Sequence, residues 1–129
     1  MISHPRRNRE IADWLTARLR DGVEIIIPEI ADYEVRRELL RAGKHKGIER
    51  LDQLKTQLTY LPMETATILR ATEFWAQARN QGRPTADPKE LDCDVILAAQ
   101  AERANAIVAT ENVGHLSLFV EARDWRAIV

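Results

Sequence analysis

Two short β-branched runs, "VEIIIP" at 23–28 and "AIVAT" at 106–110, each abut a longer stretch whose apolar residues recur at helical spacing. Short buried strands alternating with amphipathic helices confine a chain to α/β architectures. These have a mainly parallel sheet with helices on both faces. The helical stretches are well punctuated. Residues 6–22 carry Ile11, Trp14, Leu15 and Leu19 and stop at Gly22; residues 29–43 carry Ile30, Tyr33, Leu39 and Leu40 and stop at Gly43. After a basic loop, "KHKG", a helix over 48–58 presents Ile48, Leu51, Leu54 and Leu58, and "TYLP" is a short strand candidate. Helices are expected over 63–82 and 91–105, separated by the proline-containing loop "RPTADPKE". The segment "NVGHLSLF" reads as a turn with one helical turn, and "VEARDW" as a last strand.

A chain of 129 residues suits one domain, and 45% hydrophobic against 30% charged residues is the balance of a globular protein. Only 5% are aromatic, so the core is expected to be aliphatic. The single Cys93 cannot form an internal disulfide, and no Cys/His spacing suggests zinc. The N-terminus lacks the apolar stretch of a signal peptide, and no segment approaches the ~20 apolar residues of a membrane span. A cytoplasmic protein without membrane contact is expected. A formal net charge of −1 gives no whole-molecule attraction to nucleic acid, so such binding must come from a local patch. One patch is basic: residues 36–50 hold six Lys/Arg against two acids. Another is acidic: residues 85–112 hold six acids against two bases. Charge runs are also what ordinary solvated faces look like.

Chain geometry relates the ends of the second strand–helix unit. A helix from Asp94 to Ala104 descends ~15 Å at about 1.5 Å per residue. A strand from Ala106 to Thr110 climbs ~15 Å at about 3.3 Å per residue. The chain therefore returns to the level of Asp94 near Thr110–Asn112. By the same topology Glu34, just beyond the strand that ends at Pro28, belongs to the carboxyl edge of the strands, where open α/β sheets bind ligands. Glu29 sits where an acid faces the helix dipole. Clustered carboxylates resist joint ionisation unless a cation sits among them. A hard ion such as Mg²⁺ takes oxygen ligands, and beside a basic strip it suits phosphodiester hydrolysis. Each residue also has a plain reading. Asp92 suits a helix cap with Asp94 in the first turn, Glu34 suits one more helical acid, and Asn112 suits the turn alone. His115 reads as a turn or surface residue, Cys93 as a packing residue, and the tryptophans as core or interface anchors.

The segments "IPEIADYEVRRELLR", "LDCDVILAAQA" and "AIVATENVGHL" resemble three successive motifs of PIN-domain proteins, over roughly Val23 to Trp125. These are metal-dependent ribonucleases that include the toxin half of many toxin–antitoxin pairs. The resemblance implies a three-layer α/β/α sandwich with a parallel sheet, Mg²⁺ or Mn²⁺ held by acids, and hydrolysis of single-stranded or structured RNA. Glu34 matches the acid of the early helix, Asp94 the acid opening the "DxxLAAxA" helix, and Asp92 an auxiliary acid. Glu34, Asp94 and Asp92 would thus hold metal, while Asp92, Asp94, Thr110 and Asn112 would serve catalysis. Arg37, Arg41, Lys44 and Lys46 are the phosphate candidates; Arg36 points away from Glu34's face. A homodimer, with Trp75 as an anchor, and an antitoxin partner are further implications.

The chain departs from the family at its start. The family's first strand occupies the middle of the sheet and ends in a metal-binding Asp, usually within "LLDTN" or "LLDSG"; here the chain opens at "MISHPRRNRE". The expectation is a single PIN-like domain over 1–129 whose central first strand is missing and whose activity is impaired. The start of the gene would then lie upstream, or the flanking strands would pair directly, or a neighbouring chain would supply a strand. A catalytically silent binding or regulatory module is the alternative. The DNA upstream of Met1 is expected to encode an "LLD"-like segment in frame; sequencing that finds an in-frame stop and no such codons refutes the late-start reading.

Overall fold

The computed structural model describes residues 5–82, 88–111 and 113–129. In chain order the elements are α1 (Pro5–Arg20), β1 (Ile26–Pro28), α2 (Glu29–Arg41), α3 (His45–Gln57), β2 (Thr59–Leu61), α4 (Thr65–Asn80), α5 (Pro88–Ala104), β3 (Val108–Thr110), α6 (Val113–Leu116) and β4 (Ala122–Asp124), followed by a 3₁₀ turn at Trp125–Ala127. This is a helix-rich α/β protein with short strands. Among the described residues the strands form two pairs, β1 with β2 and β3 with β4. The second pair is parallel, in the register Val108↔Ala122, Ala109↔Arg123 and Thr110↔Asp124. No helix among the described residues is long and apolar enough to cross a membrane.

Several expected boundaries move. The first strand starts at Ile26 instead of Val23, and Val23 is exposed. The "KHKG" loop is largely helix, because α3 starts at His45. Helix α5 starts at Pro88, inside the expected loop; proline is well suited to a first helical position, whose N–H needs no partner within the helix. The glycine stops hold for α1 and α2. Gly22 and Gly43 have φ of 78° and 68°, and the next residues, Val23 and Lys44, donate back to the carbonyls of Arg18 and Leu39. Helix α5 ends the same way on Asn105, at φ 51°, with Ala106 donating to Ala101.

The described chain forms two compact units. One comprises Met1–Ile27, Asp32–Tyr60 and Val129, the other Pro28–Ala31 and Leu61–Ile128. The second unit is organised by α4 against α5. Ala71, Phe74 and Ala78 of α4 are buried with Leu91, Val95, Ala98 and Ala99 of α5. Small side chains at helical spacing let the helix backbones approach closely. Phe74 fills the remaining volume, its ring 5.2 Å from that of Phe119. The expected aliphatic core is thus pinned by an aromatic pair. The next turn of α5 serves a second cluster, in which Ala101 packs with Val108 of β3 and Leu116 of α6.

Two polar side chains of this unit, Thr67 and Gln100, are buried among the described residues. Gln100 is 1% exposed, and its amide oxygen accepts from the Ile30 N–H while its nitrogen donates to the Leu61 carbonyl, both at 3.1 Å. Glu29, which the sequence places simply in a first helical turn, accepts from the Met63 N–H at 2.6 Å. These bonds satisfy backbone groups at the start of α2 and around the end of β2 that no three-residue strand can pair.

In the first unit the polar centre is Asp32, only 8% exposed. It accepts from Arg36 Nε at 3.1 Å and from Lys55 Nζ at 2.8 Å, joining α2 to α3. Arg36 also reaches Asp52 at 2.6 Å. The Asp52 carboxyl is held below its usual range by the Arg36 hydrogen bond, and the Lys55 ammonium is raised above its ordinary 10.5 by its bond to Asp32.

Both polar centres can be tested by unfolding. Gln100→Leu removes both bonds and leaves the Ile30 N–H and the Leu61 carbonyl unpaired, costing about 2–4 kcal/mol; urea unfolding measures it, and an unchanged midpoint would show that the amide contributes nothing. Asp32→Asn lowers the midpoint and flattens its alkaline dependence. A raised cation contributes stability in full below its unfolded pKa and loses it as pH rises through the folded value. The wild type should therefore lose stability above about pH 10.5, and the variant should lose less over that window. Parallel curves for the two proteins would dismiss the linkage.

Candidate active site

In the second unit α5 brings Asp94 to α6, the element that follows β3. Asp94 lies in the second turn of α5, with Val95, Ala98 and Ala99 locked into the core, so its orientation follows from helix packing. The carboxylate is 26% exposed, and His115 Nδ1 lies 3.7 Å from its Oδ2. His115 belongs to α6, the element next after β3 in the chain. The chain thus returns to Asp94 after the strand, as the helix and strand rises require. Asp92 is on the exposed side of α5, and Thr110 is half-buried at the end of β3. Asn112 lies outside the described residues.

Beside Thr110 in the parallel register stands Asp124, which ends β4. Its Oδ1 accepts from the Arg126 N–H at 2.9 Å and caps the final 3₁₀ turn. Glu111 accepts from Trp125 Nε1 at 3.2 Å and Arg126 Nη2 at 3.3 Å. The strand ends therefore carry an Asp, a Glu and a Thr, with one Arg compensating two of the carboxylates. Trp125 is held by its indole N–H, and the Arg126 guanidinium lies 4.5 Å from the centre of its ring.

The residues singled out on α2 and α3 belong to the first unit. Glu34 is half-buried. The Arg37 guanidinium lies 5.1 Å from the centre of the Tyr33 ring. Arg41 is paired with Glu38 at 2.8 Å, and that hydrogen bond holds the Glu38 carboxyl below its usual range. Lys44 and Lys46 are exposed. Arg36 is turned to Asp32 and Asp52, away from Glu34's face as its helical phase requires.

Whether these residues fit a divalent ion depends on how many donors converge. Among the described residues no three His, Cys, Asp or Glu side chains are grouped to hold one. One pair that does meet is the Asp94 oxygen and the His115 nitrogen, 3.7 Å apart. Sequence reasoning gave His115 no role, although a signal was present. Arithmetic that returns the chain to Asp94 near residue 110 places His115 at most about one turn further on. Asp32 was missed as well; Arg36 four residues later was its sequence signal.

Comparisons with known proteins agree with this architecture. The family model for the PIN domain matches residues 1–117. Among solved structures, VapBC-1 from nontypeable Haemophilus influenzae is similar at 18% identity, covering 88% of this chain and 86% of that one, with a TM-score of 0.70. DNA-bound VapBC from Salmonella typhimurium is 18% identical, with 87% and 84% covered and a TM-score of 0.69. VapBC2 from Rickettsia felis, bound to a DNA fragment from its promoter, is 17% identical, with 79% and 75% covered and a TM-score of 0.66. No curated protein matches. Identities this low establish likeness of fold alone, but a family model spanning most of the sequence does more: the chain belongs to the PIN domain family.

Proposed function

We propose that this protein is an endoribonuclease that hydrolyses RNA phosphodiester bonds and depends on Mg²⁺ or Mn²⁺. The observation that carries the reading is the half-buried Asp94 opposite His115, within a PIN domain. Glu34 and Asp94 are assigned as metal ligands, and Asp92 completes the set. Thr110 and Asn112 orient the reacting groups. A divalent ion in such a site supplies charge that polarises the phosphate and activates water. Arg37, Arg41, Lys44 and Lys46 are exposed and assigned to the RNA backbone, with Arg41 sharing its charge with Glu38. Phosphate contacts of this kind position a nucleic acid without reading its sequence.

The likeness to VapBC structures supports a toxin of a toxin–antitoxin pair, working in the cytoplasm and bound by a protein antitoxin. A homodimer is also proposed. Trp75, 40% exposed on α4, is its anchor, a large aromatic left open to solvent on a helix that buries Ala71, Phe74 and Ala78. One observation favours a second reading, a catalytically silent binding module: the described residues offer a pair of metal donors and no triad.

A cleavage assay on single-stranded RNA separates the two. For the enzyme, Mn²⁺ or Mg²⁺ supports cleavage, EDTA abolishes it, and Asp94→Asn reduces the rate by about a hundredfold or more. If a protein extended at its N-terminus by an "LLD"-bearing strand also fails to cleave in either metal, the silent module is correct.

A further inference from the structure

Asp94 and His115 come from different helices, and each is fixed by a neighbour in the core. Asp94 precedes the buried Val95 on α5, and His115 precedes the buried Leu116 on α6. Leu116 packs with Ala101 of α5 itself, so the two helices are held against one another at this point. Both donor side chains keep access to solvent. Asp94 Oδ2 and His115 Nδ1 stand 3.7 Å apart, too far for a direct hydrogen bond. The spacing suits two ligands of one ion. Donors each about 2.1 Å from a shared ion lie about 3 Å apart at a right angle and about 4.2 Å apart in line.

A divalent ion that works on phosphates is commonly held by one or two protein groups, with water and substrate phosphate in its remaining positions. A pair of donors is therefore a usable site even where no third group joins it among the described residues. What this pair changes is selectivity. Mg²⁺ is a hard ion that takes oxygen and parts reluctantly with its water. An imidazole nitrogen is a softer donor, and it raises the affinity for first-row transition ions, from Mn²⁺ upward, more than that for Mg²⁺. A carboxylate opposite Asp94 would instead add a second negative charge and an oxygen, which suits Mg²⁺. We infer that His115 is a nitrogen ligand of the ion that Asp94 holds, so that this site prefers Mn²⁺ to Mg²⁺. The inference rests on the metal-dependent ribonuclease reading. It deepens that reading by adding a ligand it does not use and by choosing between its two ions.

The test is metal binding by the full chain with no RNA present. Free Mn²⁺ is followed by its electron paramagnetic resonance signal, and Mg²⁺ by competition against it. Spin-echo modulation of the bound Mn²⁺ reports a directly coordinated nitrogen. The wild type should show that modulation. The chain has three histidines, so variants make the assignment: His115→Ala should lose the signal and His45→Ala should keep it. Mn²⁺ can bind more tightly than Mg²⁺ even to oxygen alone, so the decisive quantity is the change in the ratio of affinities. His115→Ala should weaken Mn²⁺ binding about tenfold or more and Mg²⁺ binding much less. His115→Asp, which supplies an oxygen, should move the preference toward Mg²⁺. Asp94→Asn should weaken both ions. Far-UV circular dichroism checks that the variants are folded. Nitrogen modulation absent from the wild type, or kept by His115→Ala, overturns the ligand; metal loss in Asp94→Asn then leaves the ribonuclease reading standing. An equal loss of both ions in His115→Ala also overturns it, because a merely structural part in α6 gives that result. Wild-type protein that binds neither ion removes the ligand and the metal-dependent reading together.

Discussion

Helix α5 bears the constraint on which the second unit depends. Its alanines at 98 and 99 meet those at 71 and 78 of α4, and the closeness of that contact leaves no freedom in how α5 is rotated. Once its rotation is set, each remaining face has one task. Leu91 and Val95 fill the core, Ala101 receives β3 and α6, Gln100 reaches the backbone at Ile30 and Leu61, and Asp94 is turned to His115. A side chain that replaced Ala98 with something larger would push the helices apart and move all of these together.

The strands alone cannot do this work. Each is three residues long, and each pairs with a single neighbour among the described residues. A two-stranded pair in water is marginal without a packed face. The polar groups that a wider sheet would satisfy are instead met by side chains, as Gln100 and Glu29 do at the ends of β1 and β2. Asp32 plays the corresponding part in the first unit, where it gathers Arg36 and Lys55. A buried carboxylate is costly unless paired and hydrogen-bonded, and here it is both. Its partners are thereby withdrawn from solvent, so the cationic character of this region is weaker on the surface than in the sequence.

Much of the fold was legible because helices announce themselves locally. Apolar spacing and the glycines at 22 and 43 placed the helices, and the β-branched runs placed β1 and β3. Departures collect where tertiary context overrides propensity. The stripe containing Tyr33 and Leu40 has the spacing of a core face, yet spacing cannot say whether anything packs against it. Phe74 reads as one aromatic among few but sits at the centre of the α4–α5 contact. For the site, Asp94 falls in the second turn of α5 and not at its opening, and nothing in the local pattern gave His115 a part. The one helical turn that carries it was expected, but its meeting with Asp94 is a contact between residues 21 apart in sequence that no local pattern shows.

The amino-acid sequence by itself determined the alternation of helices and short strands and the points where the helices stop. Those are local properties, set by side-chain period, backbone dihedral preference and rise per residue. Only the tertiary structure decided which charges are neutralised, which aromatic is buried and which left open, and that a histidine faces Asp94. These depend on contacts between residues distant in sequence, whose geometry exists only once the helices have closed on one another.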